Sequence, residues 1–161
     1  MHTYKYEMPA VTATVAVLGA IRYAASSDPS ERYAILLTQR SDDSDAEPGA
    51  WCLPGGFLDV GTERVHEAAA RELKEELDLD VDATRLKLFY IDDVFADVDP
   101  RNKHVVNVCY SYELSNFINL NQTFDYQVSE VQNAKWVRIS EALLMKLAFN
   151  HKKIIEALIS R

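Results

Sequence analysis

Residues 55–79 read GGFLDVGTERVHEAAARELKEELDL, and this stretch carries the strongest structural signal in the chain. Its second part, residues 62–79, is rich in alanine, leucine, glutamate and lysine, which favour the α-helix. Thr62 is a residue type that often caps the first turn of a helix. Three glycines, at positions 55, 56 and 61, precede the helix and allow the backbone to turn tightly and to approach a ligand closely. The stretch therefore predicts a glycine-rich turn followed by one long helix.

Three glutamates of this predicted helix share one face. An α-helix turns about 100° per residue, so Glu75 lies about 60° to one side of Glu72 and Glu76 lies about 40° to the other. The three carboxylates therefore fall within an arc of about 100°. The apolar residues that lie on the adjoining side, and that we expect to pack against a sheet, are Ala69, Ala70, Leu73 and Leu77.

The acidic face has two interpretations. Like charges three and four residues apart repel one another, so the face is either solvated or neutralised by a cation. Hard oxygen ligands at this density suit Mg²⁺ or Mn²⁺, which bridge protein carboxylates to phosphate oxygens. Glutamate-rich helices are commonly no more than solvated surface, so the helix alone does not decide. The preceding glycine turn, and the spacing of eight between Glu63 and Arg71, favour the metal site.

The same residues resemble the Nudix box, whose pattern is G-x5-E-x7-R-E-U-x-E-E-x-G-U, where U is a bulky aliphatic residue. Glu63, seven further residues and then residues 71–76 (RELKEE) match it without a gap, while Gly56 and Leu79 match its two ends. Two features depart from the pattern: six residues rather than five separate Gly56 from Glu63, and Asp78 stands where the pattern has glycine. Aspartate adopts the left-handed cap conformation less readily than glycine. These departures affect the expected loop geometry but remove no carboxylate.

The resemblance implies an α/β fold, namely an α/β/α sandwich around a central mixed sheet. The residues that it implies as ligands of Mg²⁺, or of Mn²⁺ in its place, are Glu72, Glu75, Glu76 and, through its backbone carbonyl, Gly55. Arg71 would orient this cluster by pairing with carboxylates, including that of Glu63, whose role in the box is structural. Arg71, Glu75 and Glu76 would thereby serve catalysis, which is the attack of a metal-activated water on phosphorus.

The box does not identify the general base. A carboxylate that lies near the metal could accept a proton from the attacking water. Glu130 precedes the last predicted strand, where some members of the family keep a catalytic glutamate. Asp97, in the loop between two earlier strands, is the other candidate.

Two segments outside the box, residues 99–106 and 147–151, are similar to the ADP-ribose pyrophosphatase branch of the family. The resemblance implies that the substrate is ADP-ribose, which would be cleaved to AMP and ribose 5-phosphate. The residues implied to contact the substrate are Gly56, Arg101 and Phe149. Arg101 could clamp a phosphate with two hydrogen bonds, and its alternative is a solvated loop arginine. The alternative for Phe149 is a packing residue at the start of a helix, and for His151 a solvated imidazole.

The rest of the chain alternates between apolar runs and polar loops. The runs that predict strands are residues 11–25, 33–40, 51–53, 86–96, 104–114 and 134–139. We expect the first two to pair as a hairpin, and residues 54–56 to stop the third. A long loop over residues 116–127 and two further helices, from Ser140 and from about Asn150, complete the prediction. No repeat or linker divides the chain, so residues 1–161 are expected to form a single Nudix hydrolase domain.

Composition limits the partners that we expect. The 161 residues are 48% hydrophobic and 26% charged, as in an ordinary folded protein, and the net charge is −8. No run of lysine and arginine offers a surface for DNA. No segment is long and apolar enough to span a membrane, and the N-terminus lacks a signal peptide. Cys52 and Cys109 lie in apolar runs and predict buried thiols, which fits a cytoplasmic protein. The expected partner is a small-molecule nucleotide, and the resemblance also allows a homodimer.

Two other functions compete with ADP-ribose hydrolysis. The first is a Nudix hydrolase that acts on a dinucleoside polyphosphate, FAD, NADH, a nucleotide sugar, a damaged nucleoside triphosphate or capped RNA. The second is a non-catalytic regulator that senses the nucleotide and binds DNA through an additional C-terminal winged-helix domain. The chain ends at Arg161 and has no basic patch, so we expect the enzyme rather than the regulator.

Overall fold

The strands of the chain form one mixed sheet with helices on both of its faces. The structure, a computed structural model, describes residues 5–124 and 130–161. Its strands are β1 (Ala10–Ala20), β2 (Tyr33–Arg40), β3 (Trp51–Cys52), β4 (Gly55–Phe57), β5 (Lys87–Val94), β6 (Val105–Glu113) and β7 (Val131–Arg138). Its helices are α1 (Pro29–Arg32), α2 (Val65–Leu77), α3 (Ile139–Ala142) and α4 (His151–Ile159), and a 3₁₀ turn covers Ala83–Arg85.

Strand β1 organises the sheet because it pairs with three other strands. It runs parallel to β6 along most of its length, and β5 follows β6 in antiparallel order. On its other edge β1 pairs antiparallel with β2, as the predicted hairpin requires. Strand β7 lies antiparallel along the far edge of β2. Strand β1, which is rich in apolar and β-branched residues, thus lies in the interior of the sheet.

The segment 51–57 enters the sheet where β1 and β2 separate. Its first part, β3, pairs with β2 through Trp51 and Cys52, and its second part, β4, pairs with β1 through residues 55–57. We expected residues 54–56 only to end a strand, so the prediction missed β4. The reason is that the pairing depends on β1: a Cβ on Gly55 would lie 2.2 Å from the Ala13 carbonyl oxygen, so only glycine fits.

Two apolar cores cover the two faces of the sheet and confirm the α/β/α sandwich. Helix α2 packs Ala69, Leu73 and Leu77 against one face, where Trp136 is also buried. The other face carries Ile154 and Ile155 of α4 together with residues of α3. The chain therefore buries its longest helix on the face opposite to the C-terminal helices. Both cysteines are buried thiols, as predicted.

Helix α2 is shorter than the predicted helix. It begins at Val65 and ends at Leu77, with Arg64 rather than Thr62 at the N-cap position. Residues 59–62 instead form a turn in which the Thr62 amide donates to the Asp59 carbonyl. Asp78 ends the helix in the left-handed conformation, at φ 53°, so aspartate does replace the glycine of the box pattern there.

Other boundaries differ from the prediction by a few residues. Strand β1 ends at Ala20, and the connection to β2 contains the short helix α1, which Asp28 caps. Strands β5 and β6 fall inside the predicted runs, whereas β7 begins three residues earlier, at Val131. The predicted long loop lies partly outside the described residues. None of the helices in the described part of the chain is long and apolar enough to cross a membrane.

Candidate active site

A cleft of about 1080 Å³ opens beside α2 and the glycine turn. Strand β4 and helix α2 form its acidic side, and the loop that follows β2 forms its rim. The loop before β6 and the start of α4 close its other side. The predicted site residues that line it are Gly55, Gly56, Arg71, Glu72, Glu75, Glu76, Arg101, Glu130 and Phe149. The fold thus brings nearly every predicted residue to a single cavity.

Arg71 is the centre of a network of carboxylates. Its Nε and Nη2 donate to the two carboxylate oxygens of Glu63 at 2.9 and 2.8 Å, which is a bidentate pair. Its Nη1 donates to Glu72 at 2.9 Å and to Glu75 at 3.1 Å, and Nη2 also donates to the Phe57 carbonyl. The hydrogen bonds from Arg71 lower the pKa of Glu63 and raise that of Arg71 itself. Arg71 therefore ties the glycine loop to the acidic face of α2.

Glu72 and Glu76 form a buried pair of carboxylates. Each is only 7% exposed, and burial raises the pKa of both, most strongly that of Glu76, which the nearby charge of Glu72 raises further. Glu76 accepts a hydrogen bond from the Gly55 amide at 3.3 Å. A Cβ on Gly56 would lie 2.3 Å from an oxygen of Glu72, so a side chain there would displace the Glu72 carboxylate.

The third glutamate is more exposed than the other two. The side chain of Glu75 is 51% exposed and accepts a hydrogen bond from Arg71. Within residues 5–124 and 130–161, no three acidic, histidine or cysteine side chains stand together in a geometry ready for a metal ion. Arg71 Nη1 therefore holds Glu72 and Glu75 together, whereas Glu76 accepts from the Gly55 amide instead.

The buried pair nevertheless fits a divalent cation. Two like charges out of water are costly unless a positive charge compensates them. Arg71 compensates Glu72, but among the described residues no lysine or arginine nitrogen forms an ion pair with Glu76. Hard oxygen donors of this kind are the ligands that Mg²⁺ and Mn²⁺ prefer.

The two candidate general bases differ in position. Glu130 is exposed and lines the cleft, and its charge acts on both Glu72 and Glu76. Its backbone carbonyl accepts from the Ser41 amide, which fixes this end of β7 beside the rim. Asp97 is exposed in the loop after β5 and is not among the residues that line the cleft. Glu130 is therefore the candidate that the geometry favours.

Arg101 lies in the cleft but is held by a neighbour. Its Nε and Nη2 donate to the two oxygens of Asp99 at 2.9 and 2.8 Å. Asp99 is buried, which opposes ionisation, but the hydrogen bonds from Arg101 outweigh this and lower its pKa. Asp99 thus occupies the fork that we expected to clamp a phosphate, and Arg101 is largely covered rather than a solvated loop arginine.

Cations and aromatic rings alternate along one part of the cleft lining. The Arg101 guanidinium lies 4.4 Å from the centre of the Phe149 ring and 5.2 Å from that of Phe57. The Arg40 guanidinium lies 4.9 Å from the centre of the Phe149 ring, and the Lys103 ammonium lies 5.0 Å from the centre of the Phe57 ring. We call these five residues the cation–aromatic wall. It presents positive charge and flat surface, which suit a phosphate and a planar base.

The loop at the rim fixes Phe149. The Phe149 amide donates to the Glu47 carboxylate, and both residues adopt positive φ angles, 56° and 45°. Such angles are unfavourable for residues other than glycine, so tertiary contacts must stabilise them. Arg40 also donates from Nε to the Ala46 carbonyl at 2.8 Å. The rim loop therefore positions the aromatic ring at the wall.

His151 is buried rather than solvated. It is 6% exposed, and its Nδ1 accepts a hydrogen bond from the Leu53 amide at 2.9 Å. Burial lowers the pKa of His151 to about 3, and the charges of Arg101 and Arg40 lower it further. The prediction of a solvated imidazole is wrong because Leu53, nearly a hundred positions away in sequence, covers the ring.

This buried histidine predicts a specific sensitivity to acid. The unfolded chain protonates His151 near pH 6.5 and the folded chain near pH 3, so between these values the unfolded state binds more protons. The stability that neutral His151 provides is complete above pH 6.5 and is lost as the pH falls toward 3. Each unit of pKa shift corresponds to about 1.4 kcal/mol. Urea denaturation at several pH values should show that His151→Asn, which cannot be protonated, loses several kcal/mol less than the native protein over this interval. Equal losses would contradict the shifted pKa.

Several residues of the cleft were absent from the sequence prediction. Arg40 and Glu47 line it but belong to no motif that we recognised, and Asp99 and Lys103 lie in the segment 99–106, where we assigned a substrate contact only to Arg101. Charged residues in the polar loops after β2 and before β6 were the available signal. Their convergence depends on long-range pairing, which local sequence does not specify.

Comparisons with known proteins agree with this architecture. A sequence model described as NUDIX domain matches residues 17–158. The ADPR responsive transcriptional repressor NtrR of Acinetobacter baylyi is 31% identical over 132 residues, which are 79% of this chain and 47% of the repressor. The nucleoside triphosphatase NudI of Escherichia coli is 48% identical over 44 residues, or 27% of this chain and 30% of that protein. The chain thus spans about half the length of the first of these relatives.

Solved structures share the fold over nearly the whole chain. The NUDIX domain of Shewanella oneidensis NrtR, complexed with ADP ribose, has a TM-score of 0.76 at 25% identity and covers 97% of this chain and 90% of its own. A bifunctional NMN adenylyltransferase/ADP ribose pyrophosphatase from Francisella tularensis, complexed with AMP and a manganese ion, has a TM-score of 0.72 at 19% identity. The match covers 98% of this chain and 43% of that protein. At that identity the second likeness concerns the fold alone.

Proposed function

The chain belongs to the Nudix family, and from this premise we propose that it hydrolyses the pyrophosphate bond of a nucleoside diphosphate linked to another group. The proposed substrate is ADP-ribose, and the products are AMP and ribose 5-phosphate. Residues 1–161 act as one catalytic domain that works in the cytoplasm and depends on Mg²⁺. Members of the family are generally hydrolases that use divalent metals.

A single observation carries the proposal: one cleft joins the buried glutamate pair to the cation–aromatic wall. A nucleoside diphosphate derivative has a planar base at one end and a charged diphosphate further along. The wall offers cations and rings for the first, and the glutamates offer a cation site for the second. The relatives that bind or respond to ADP-ribose support the choice of substrate.

Each residue of the acidic side has a distinct task in this proposal. Glu72 and Glu76 hold the divalent ion, with Glu75 and the Gly55 carbonyl as further ligands. The ion supplies electrophilic stabilisation of the phosphoryl oxygens and activation of a water molecule. Arg71 fixes the direction of Glu72 through its hydrogen bond and keeps the glycine loop in place. Glu130 accepts the proton of the attacking water as the general base.

The proposal is tested by a phosphate-release screen with Mg²⁺. The substrates are ADP-ribose, NADH, FAD, dinucleoside polyphosphates, nucleotide sugars and nucleoside triphosphates, with a phosphatase added to release phosphate from the monophosphate products. We expect the largest kcat/KM with ADP-ribose and no turnover after chelation of the metal. Turnover of triphosphates alone would reject the substrate, and an absence of turnover on the whole panel would reject the enzyme.

A second function has one specific observation in its favour, which is the 31% identity to a transcriptional repressor that responds to ADP-ribose. In that case ADP-ribose binds the same cleft and is released intact. Chromatography of the ligand after long incubation with Mg²⁺ and protein separates the two functions, because only the enzyme yields AMP. The retention of Glu72, Glu75, Glu76 and Arg71 favours the enzyme.

Substitution of Phe149 should weaken substrate binding without affecting chemistry. Phe149→Leu removes the ring between Arg40 and Arg101, where a cation–aromatic contact is worth about 1 kcal/mol. We expect KM for ADP-ribose to rise about fivefold while kcat changes less than about twofold. Phe117→Leu is the matched control because Phe117 is 59% exposed and lies outside the cleft. A fall in kcat with unchanged KM would contradict this assignment.

A further inference from the structure

The two ring nitrogens of His151 differ in their contacts within the described residues: Nδ1 has a hydrogen-bond partner, whereas Nε2 has none. The Leu53 amide donates to Nδ1, so this nitrogen must be the unprotonated one. Because the ring is neutral, the proton lies on Nε2. The fold therefore fixes His151 in a single tautomer, with an N–H donor on the side away from Leu53.

The Nε2 donor must reach the cleft. Within the described ranges, no buried side-chain nitrogen or oxygen lacks a hydrogen-bond partner. The hydrogen bonds of His151 in these ranges include none from the Nε2 side, so the described residues leave this atom open. His151 lines the cleft, and its ring centre lies 5.5 Å from that of Phe149. A polar side chain that is more than nine-tenths buried thus presents an N–H beside the cation–aromatic wall.

We propose that His151 is a substrate-binding residue, whose neutral Nε2–H donates a hydrogen bond to an oxygen or nitrogen acceptor of the bound nucleotide. The proposal rests on the proposed function, because it concerns the same cleft and the same class of ligand. Arg40, Arg101 and Lys103 make this side of the cleft positive. A neutral donor adds a directional contact there without adding repulsion between like charges.

A purely structural role for His151 would predict something different. In that case the only important contact is the one with Leu53, and loss of ligand binding would follow loss of stability. Two substitutions separate the roles because each replaces a different ring nitrogen of His151. His151→Asn places an amide oxygen near the position of Nδ1 and keeps an acceptor for the Leu53 amide, but it removes the donor in the cleft. His151→Gln extends its amide toward the position of Nε2 and gives up the Leu53 contact.

The test measures the affinity for ADP-ribose and for AMP by calorimetry in the presence of a metal chelator, so that no hydrolysis occurs. A neutral hydrogen bond is worth about 1.4 kcal/mol, which corresponds to about tenfold in affinity. We expect His151→Asn to bind AMP about tenfold more weakly with nearly unchanged thermal stability. We expect His151→Gln to lose stability but to retain more of the affinity. Native-like affinity of the folded Asn variant for both ligands would overturn the proposal, as would failure of the native protein to bind either.

A spectroscopic readout separates this proposal from the proposed function. In protein labelled with ¹⁵N-histidine, the Nε2–H signal of His151 should be that of the neutral tautomer and should shift when AMP or ADP-ribose is added. If no pyrophosphate is hydrolysed but the signal shifts and the Asn variant binds weakly, the enzyme is rejected and the role of His151 stands. If ADP-ribose is hydrolysed but neither ligand moves the signal, the role of His151 is rejected and the enzyme stands.

Discussion

Replacement of Glu76 by glutamine is expected to lower the turnover of ADP-ribose by several orders of magnitude while the protein stays folded. The substitution keeps the shape of the side chain and the acceptor for the Gly55 amide but removes the negative charge. Glu76 is the member of the buried pair that has no ion pair among the described residues, so its charge is the one that a divalent cation would neutralise. Without this charge the cleft loses the proposed ligand whose charge Arg71 does not compensate. Steady-state kinetics with Mg²⁺ checks the result.

The stability of the same variant shows whether the loss concerns the metal or the fold. Burial raises the pKa of Glu76, which means that its ionised form destabilises the metal-free protein near neutral pH. The glutamine variant should therefore unfold at an equal or higher temperature than the metal-free native protein, and Mg²⁺ should raise only the native melting temperature. Glu156→Gln, an exposed change on α4, serves as control and should leave activity and stability unchanged. Turnover at the native rate in Glu76→Gln would refute the metal assignment.

Local sequence was sufficient to predict the helix that carries the three glutamates. The periodicity of α2 and its glutamate spacing depend on the rotation of about 100° per residue, which tertiary contacts do not alter. Strand β2 was predicted with its observed bounds because an apolar run ends at charged Arg40. The sandwich followed from the resemblance of the box to a family with that fold.

The details of the site depended on contacts between distant parts of the chain. The contact of Arg71 with Glu75 is local, but the approach of the glycine turn to Glu72 and Glu76 depends on the pairing of β4 with β1. The bidentate pair of Arg101 with Asp99 joins residues two positions apart. The burial of Asp99, however, depends on residues that are distant in sequence. His151 is buried because the segment that follows β3 contacts the start of α4. The local sequence, in which two lysines follow the histidine, predicts a solvated side chain instead. Side-chain roles in the cleft thus follow from the sheet order rather than from the motif.

Replacement of Arg71 by alanine should have the second largest effect, and it should reduce both stability and activity. Arg71 donates to Glu63, Glu72 and Glu75 and to a loop carbonyl, and its side chain is only 26% exposed. Removal of one partner from a largely buried ion network leaves uncompensated charge and lowers the free energy of unfolding by about 3 kcal/mol. Urea denaturation of the metal-free protein measures this loss.

Two further variants determine whether the network acts through its charge or through its geometry. Arg71→Lys keeps the positive charge but cannot donate to Glu63 with two parallel hydrogen bonds while it also reaches Glu72. We expect it to recover part of the stability but little of the turnover, because Glu72 is no longer held in one direction. Lys74→Ala is the matched control on the same helix, since its pair with Asp78 is exposed and such pairs contribute little. If Arg71→Lys turns over ADP-ribose at the native rate, charge alone is sufficient and the positioning role of Arg71 is wrong.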